Sequence, residues 1–341
     1  MTGRDGRVTI GAIAKEAGVS VPTVSRVLNG RADVSPHTRA RVEELLRLRG
    51  YRRRPSRARN RARLIDLVFP DLDSPWAVEI LRGVEEVAHS AGVGTVVSAT
   101  HRQIEPARQW LHNLRARASD GVILVTSTLE SPLLDELQRH DVPLVAVDPV
   151  GGPTLDAPTI GATNWAGGLE AMEHVLALGH RRVGIIAGPR DVLCSRARLD
   201  GYRAALSAAG VDPAAVPVRE GDFSHQSGFD AGRELFDIAA PLTAVVASSD
   251  QMAFGAYEAL RQRGLRIPDD VTVVGFDDLP EARWSSPPLT TVRQPLTEMG
   301  RLAARTILRL AAGEAVESPR LELATTLIKR ESSAAPAAAV A

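Results

Sequence analysis

The sequence predicts an α/β protein built from two unlike parts, a short all-α basic head and a much larger body of parallel sheets. Three observations predict it. Two short helical patterns meet at a glycine within residues 9 to 29. The charge is split along the chain: residues 1 to 63 hold 16 Lys and Arg against 5 Asp and Glu, a balance of +11, and the remainder carries −11 although the whole is neutral. From Leu64 onward, short aliphatic runs alternate with longer amphipathic stretches.

In the head, Ile10, Ile13, Ala14 and Ala17 recur at i, i+3, i+4 and i+7, so one face of a first helix is apolar, and Gly18 can end it in a left-handed turn. Ser20 caps a second helix whose inward stripe is Val24, Val27 and Leu28. Val21, Pro22, Ser25, Arg26 and Asn29 are left on the opposite face, where residues near the helix start meet base edges in a DNA major groove. A third helix follows, with Ser35 as cap, Pro36 in its first turn and Val42, Leu45 and Leu46 buried. Directly after it comes the arginine-rich run 51 to 63. A solvated basic linker is the plain alternative for that run, but it does not explain why the charge adjoins a helix-turn-helix. Phosphate neutralisation does.

About 278 residues remain after position 63, enough for two cores. The single cysteine, Cys194, excludes an intramolecular disulfide and a multi-cysteine metal site, and a small buried residue is its expected role. The N-terminus is charged and lacks a signal-peptide core, and no run approaches the roughly 20 apolar residues of a membrane span, so a cytoplasmic protein with no membrane contact is expected.

The body's strands are expected at Leu64–Phe69, Gly94–Ser98, Gly121–Val125, Pro143–Val147, Val183–Ala187, Ala244–Ala247 and Val271–Phe276. Helices fall near 75–91, 105–117, 164–178, 196–209, 226–238, 250–263 and 295–312. Alternation of this kind means parallel sheets with right-handed crossovers. Such sheets bind ligands beyond the carboxyl ends of their strands, and polar residues gather there: Asp71 and Asp73, Asp148, Ser248 to Asp250, Asp277 and Asp278. An enzyme using Asp277 and Asp278 as acid and base, with Ser248 or Ser249 as nucleophile, lacks any accompanying Gly-x-Ser-x-Gly elbow, P-loop or metal-spaced histidine pair. No catalytic, cofactor or metal-ligating residue is assigned, and Asp278 is expected to cap or bond backbone after its strand.

The chain resembles the LacI/GalR family of bacterial repressors over nearly its whole length. The head matches in Val19-Ser20-x-x-Thr23-Val24-Ser25-Arg26-Val27-Leu28-Asn29. The body matches in Leu178-Gly179-His180, Gly188-Pro189, Arg198-Leu199-x-Gly201-Tyr202, Asp250-Gln251-Met252-Ala253, Val274-Gly275-Phe276-Asp277-Asp278 and Pro288 to Pro295. Each motif is weak alone; together they stand in family order and spacing.

The resemblance implies a helix-turn-helix headpiece at 1–50, a basic hinge at 51–63, a two-lobed core at 64–330 similar to periplasmic sugar-binding proteins, and a flexible tail at 331–341. The chain would cross between lobes near 162, 291 and 322. The protein would act as a homodimer on a pseudo-palindromic double-stranded DNA operator, under control of a small effector, expected to be a sugar. A transport-type sugar-binding protein shares the core, but should have a signal peptide and no basic head.

By the same resemblance, Arg198 and Asp277 are the effector-binding arginine and carboxylate, suited to gripping a polyol from opposite sides. An interlobe ion pair between them is the competing reading. Phe223 sits where the family often carries an aromatic that stacks on the effector, and Trp76 is a candidate second wall; either ring can instead be core. Asp148 and Ser249, at matching strand ends, are hydrogen-bonding candidates, with ordinary strand-end capping as the alternative. In the head, Thr9, Ser20, Val21, Pro22, Thr23, Ser25, Arg26 and Asn29 are DNA-binding candidates, joined by Arg57 and Arg59 of the hinge. Val21 and Pro22 suit apolar contact with a thymine methyl. The hinge departs from the family pattern. Pro55 aligns, but Ser56 replaces an asparagine and Ala62 falls where a leucine would wedge into the minor groove, with Leu64 as a displaced substitute.

Overall fold

The computed structural model describes residues 10–28, 34–49, 62–101, 103–125, 136–137, 142–149, 157–238, 241–316 and 318–337, and does not describe the side chains of Ser25 and Leu28. The chain divides into two compact units, 1–60 and 61–341. Thr9, Asn29, Arg57 and Arg59 lie outside the described residues, as does most of the hinge.

Among its described residues the first unit holds three helices, α1 (Ile10–Ala17), α2 (Val21–Leu28) and α3 (Pro36–Leu48). Ile13, Ala14, Ala17, Val24, Val27 and Val42 form its core, so the expected inward stripes meet one another. Gly18 takes a φ of +66°, a conformation that favours glycine, and turns the chain from α1 into α2. The Ser20 hydroxyl accepts from the Thr23 amide and shares a 2.8 Å hydrogen bond with the Thr23 hydroxyl. Ser35 caps α3 by accepting from the Thr38 amide.

Among its described residues the second unit carries two six-stranded sheets. The first-lobe sheet contains β1 (Leu64–Phe69), β2 (Gly94–Ala99), β3 (Gly121–Val125), β4 (Leu144–Val147), β5 (Thr159–Ala162) and β11 (Arg320–Leu323), in the order β11-β5-β4-β3-β1-β2. The second-lobe sheet contains β6 (Val183–Ala187), β7 (Val218–Glu220), β8 (Ala244–Ala247), β9 (Thr272–Asp277), β10 (Thr290–Arg293) and β12 (Thr326–Ile328), in the order β12-β10-β9-β8-β6-β7. Pairing is parallel except between β10 and β12.

Helices cover both faces of each sheet. In the first lobe, α4 (Pro75–Ser90) and α10 (Leu296–Ala311) lie on one face and α5 (Ile104–Arg117) on the other. In the second, α6 (Asn164–Ala177) and α7 (Leu193–Ala208) oppose α8 (His225–Phe236) and α9 (Asp250–Gln262). The fully buried central strands, such as Gly121–Val125 and Val183–Ala187, read as continuous apolar runs because both their faces are covered.

The chain passes between lobes from Ala162 into α6, from Arg293 into α10, and from Leu323 into β12. The first and third crossings are stapled together: the Thr163 and Thr325 hydroxyls lie 3.0 Å apart, and the Thr163 hydroxyl also accepts from the Thr325 amide.

Two expectations are corrected. β5, β7, β10, β11 and β12 were not among the expected strands; they are short, polar or at sheet edges, and carry no aliphatic run. A flexible tail does not begin at 331. Ser332 is fully buried, its backbone carbonyl accepts from the Val273 amide, and the Ala334 carbonyl lies 2.8 Å from His180 Nε2. Leu64, the displaced candidate for the hinge wedge, opens β1, where it is paired with Gly94.

Candidate functional site

A cleft of about 470 Å³ lies between the lobes at the carboxyl ends of their strands. All six expected effector residues line it: Trp76 and Asp148 from the first lobe, and Arg198, Phe223, Ser249 and Asp277 from the second.

Arg198 is placed by a helix contact too close for side chains. A Cβ on Gly168 of α6 would lie 2.4 Å from the Arg198 carbonyl oxygen, and one on Gly201 of α7 would lie 2.2 Å from that of Trp165. Glycine at both positions lets the two backbones touch, which carries the buried guanidinium under the cleft. There Arg198 Nε donates to Asn164 Oδ1 at 2.8 Å, Nη1 donates to the Ser248 carbonyl, and Nη1 lies 3.6 Å from Asp277 Oδ1. The guanidinium also stacks 3.9 Å from the Phe276 ring centroid.

Asp277 and Arg198 both belong to the second lobe, so the interlobe ion pair is corrected to one within a lobe. Asp148 faces them from the first lobe's wall of the cleft. Burial pushes the Asp277 carboxyl up to about 6, against the pull of Arg198 and the hydrogen bond from Gln294. Burial also raises Asp148, partly offset by Arg198 and by bonds from Cys194 and Asn164. The Cys194 thiol, itself on the cleft wall, is pushed up mainly by burial, so it is held protonated.

Backbone strain gathers at these positions. Asp148, Phe223, Asp277 and Asp278 have φ of +49°, +72°, +127° and +58°, unfavourable for residues with a Cβ and kept only where surrounding contacts over-determine them. The Phe223 ring lies against Gly188, where a Cβ would come within 2.3 Å of a ring carbon. Ser249 caps α9, accepting from Met252 and donating to the Phe223 carbonyl at 3.3 Å, so its hydroxyl is already engaged. Trp76 is half-buried, lining the cleft with part of its ring and packing against the first-lobe core with the rest.

Asp278, expected to cap backbone, instead holds two arginines: its carboxylate accepts from Arg293 Nε at 2.6 Å and from Arg330 Nη2. Asn164 and Gln294 received no role from the sequence. Asn164 carried only a helix-start signal, and Gln294 stood inside a matched motif that did not say what its side chain reaches. Asp222 and Gln251 also reach the cleft without having been singled out for it.

In the first unit, Val21, Pro22 and Arg26 are exposed on α2 and Thr23 is half-buried beside Ser20. Among the described residues, no group of His, Cys, Asp or Glu is placed to hold a metal ion, and no helix is long and apolar enough to cross a membrane.

Residues 9–54 match the family model for bacterial regulatory proteins of the lacI family, and residues 172–333 match the periplasmic binding protein-like domain. The HTH-type transcriptional regulator CelR of Thermobifida fusca is 38% identical over 337 residues, covering 96% of this chain and 98% of that one. This chain belongs to the LacI family. The solved CelR–cellobiose complex is 36% identical with a TM-score of 0.74, covering 96% of this chain and 100% of that one. A Lac repressor dimer bound to operator and the anti-inducer ONPF is 30% identical with a TM-score of 0.71, again covering 96% and 100%. The LacI-family chain is thus a transcriptional regulator and not an enzyme, with a helix-turn-helix head on a two-sheet core.

Proposed function

We propose that the protein is a homodimeric cytoplasmic repressor whose affinity for a pseudo-palindromic operator is set by a neutral sugar bound in the interlobe cleft. The observation that carries this reading is the convergence of the Arg198 guanidinium, the Asp148 and Asp277 carboxylates and the Trp76 and Phe223 rings in the cleft between the lobes. Carboxylates accept from paired hydroxyls, and aromatic faces pack on the apolar faces of a pyranose. The organisation is a head at 1–50, a basic hinge at 51–63, and a core from 64 that runs on past 330. In the head, Thr23 and Ser25 anchor phosphate, Val21 and Pro22 contact a thymine methyl, and Arg26 makes a contact needed for operator binding. The hinge arginines, lacking the leucine wedge, follow phosphates and make binding strongly salt-dependent.

The test is a thermal-shift screen of sugars against the full chain, begun with cellobiose, the sugar in the CelR complex. A sugar at ~100 times its dissociation constant should add roughly 2.7 kcal/mol of stability. Protection that persists in both Arg198→Ala and Asp277→Ala would move the site elsewhere.

A further inference from the structure

Two charged groups of the cleft, Arg198 and Asp277, are each bonded to a different crossing between the lobes. Asn164, the first residue of α6, accepts from Arg198 Nε with its Oδ1 and donates from its Nδ2 to the Ala162 carbonyl at 3.1 Å, thereby bridging the first crossing. Gln294, in the second crossing, donates from Nε2 to Asp277 Oδ1 at 2.6 Å, and its backbone amide donates to the Asp277 carbonyl at 3.2 Å. Both amides are buried, and Gln294 Oε1 has no hydrogen-bond partner among the described residues. The third crossing is tied to the first through Thr163 and Thr325. Every crossing is therefore one or two hydrogen bonds from a group that faces the cleft.

We propose that Asn164 and Gln294 are positioning residues that couple the effector grip to the lobe pivot, Asn164 relaying Arg198 to the first and third crossings and Gln294 relaying Asp277 to the second. The inference rests on the effector reading of the cleft. A ligand that draws Arg198 and Asp277 toward itself changes what these amides hold, and so favours one pivot geometry over another. A short side chain at either position leaves the grip groups in the cleft but cuts their tie to the crossing. The unpartnered Gln294 Oε1 fits such a role, since a bond missing in one lobe geometry can be made in another.

Amide exchange on the ligand-free full chain tests the wiring without a sugar. Asp277→Ala should speed exchange at the second crossing by about tenfold, the scale of one lost charge-assisted hydrogen bond. Asp277→Asn, which keeps an acceptor for Gln294, should restore it. Adding Gln294→Ala to Asp277→Ala should bring no further increase, because both remove the same bond. Unchanged exchange in Asp277→Ala, or additive increases in the double variant, would overturn the proposal. A second arm uses cellobiose and a selected operator. If cellobiose protects the wild type, Asn164→Ala and Gln294→Ala should still bind it while its effect on operator affinity shrinks several-fold; an undiminished effect would overturn the relay. Failure of cellobiose to protect the wild type counts against the effector reading with that sugar and leaves the exchange result decisive for the wiring.

Discussion

Both lobes line the cleft beyond the carboxyl ends of a six-stranded sheet of matching plan, yet four of the six candidate effector residues, Arg198, Phe223, Ser249 and Asp277, come from the second lobe and two, Trp76 and Asp148, from the first. The second lobe's groups are already bonded to one another and to backbone: Arg198 to Asn164 and the Ser248 carbonyl, Asp277 to Gln294, Ser249 to the Phe223 carbonyl. In the first lobe, Asp148 is buried at a strand end and the Trp76 ring stays half-buried. On the proposed effector reading, the second lobe is the preorganised receptor, and the first, whose Asp148 is bonded by Cys194 and Asn164 of the second, is the cover that meets it. Preorganisation reduces the ordering cost of binding, so affinity should depend chiefly on the second lobe.

The largest expected effect comes from removing the cation. Arg198→Ala leaves Asp148 and Asp277 buried without their counter-charge and should cost about 3–5 kcal/mol of folding stability, read by denaturant unfolding. Adding Asp277→Asn should recover part of that loss. Recovery of none would show that the second lobe is not organised around this pair.

Next comes the pH response of Asp277. Its folded value of about 6 lies above the unfolded 3.8, so the folded state holds the extra proton between them. That contribution is fully present below the unfolded value and is lost as pH rises through about 6, in total roughly 2–3 kcal/mol. Sugar affinity should run the opposite way, because the ionised carboxylate is the better acceptor. It should rise by about tenfold from pH 5 to pH 7 in calorimetric titrations. Asp277→Asn should flatten both profiles, and a wild-type affinity independent of pH would remove Asp277 from the grip.

A third variant separates the head from the core. Arg26→Ala should weaken operator binding by about tenfold or more in fluorescence anisotropy while leaving sugar protection of the core unchanged. Wild-type operator affinity in this variant would rule out the docking proposed for α2.

The smallest effects belong to the aromatics, where stacking is worth ~0.5–1.5 kcal/mol, or a few-fold to about tenfold in sugar affinity. Phe223→Ala should weaken binding more than Trp76→Ala if the second lobe dominates. The reverse order would make the first lobe the receptor.

How much of this was legible in the sequence follows from where information sits in a chain. Central strands such as Leu64–Phe69 and Ala244–Ala247 announce themselves because burial on both faces demands unbroken aliphatic residues. Edge strands do not: Val218–Glu220 and Arg320–Leu323 are held by register with a neighbour, and their side chains read as surface. Arg198, Asp277 and Phe223 were legible through the family resemblance, Asp148 and Ser249 through their place at strand ends, and Trp76 as an aromatic just beyond the first core strand. Asn164 and Gln294 were not, since a buried amide is recognised only by its partners, which lie 34 and 17 positions away. The burial of Ser332 was likewise hidden inside a Ser/Ala/Pro-rich stretch whose composition resembles a tail.

The touching backbones at Gly168 and Gly201 bear on how such a regulator can diverge. No methyl group can be added at either residue without prising α6 from α7, and at Gly168 the main chain displaced is that of the cleft arginine itself. A lineage acquiring a new inducer therefore cannot experiment there by small steps. It must leave this joint untouched and vary the rim instead, at surfaces such as Trp76, Asp222 and Gln251, so that altered taste in ligands is written onto an inherited bearing.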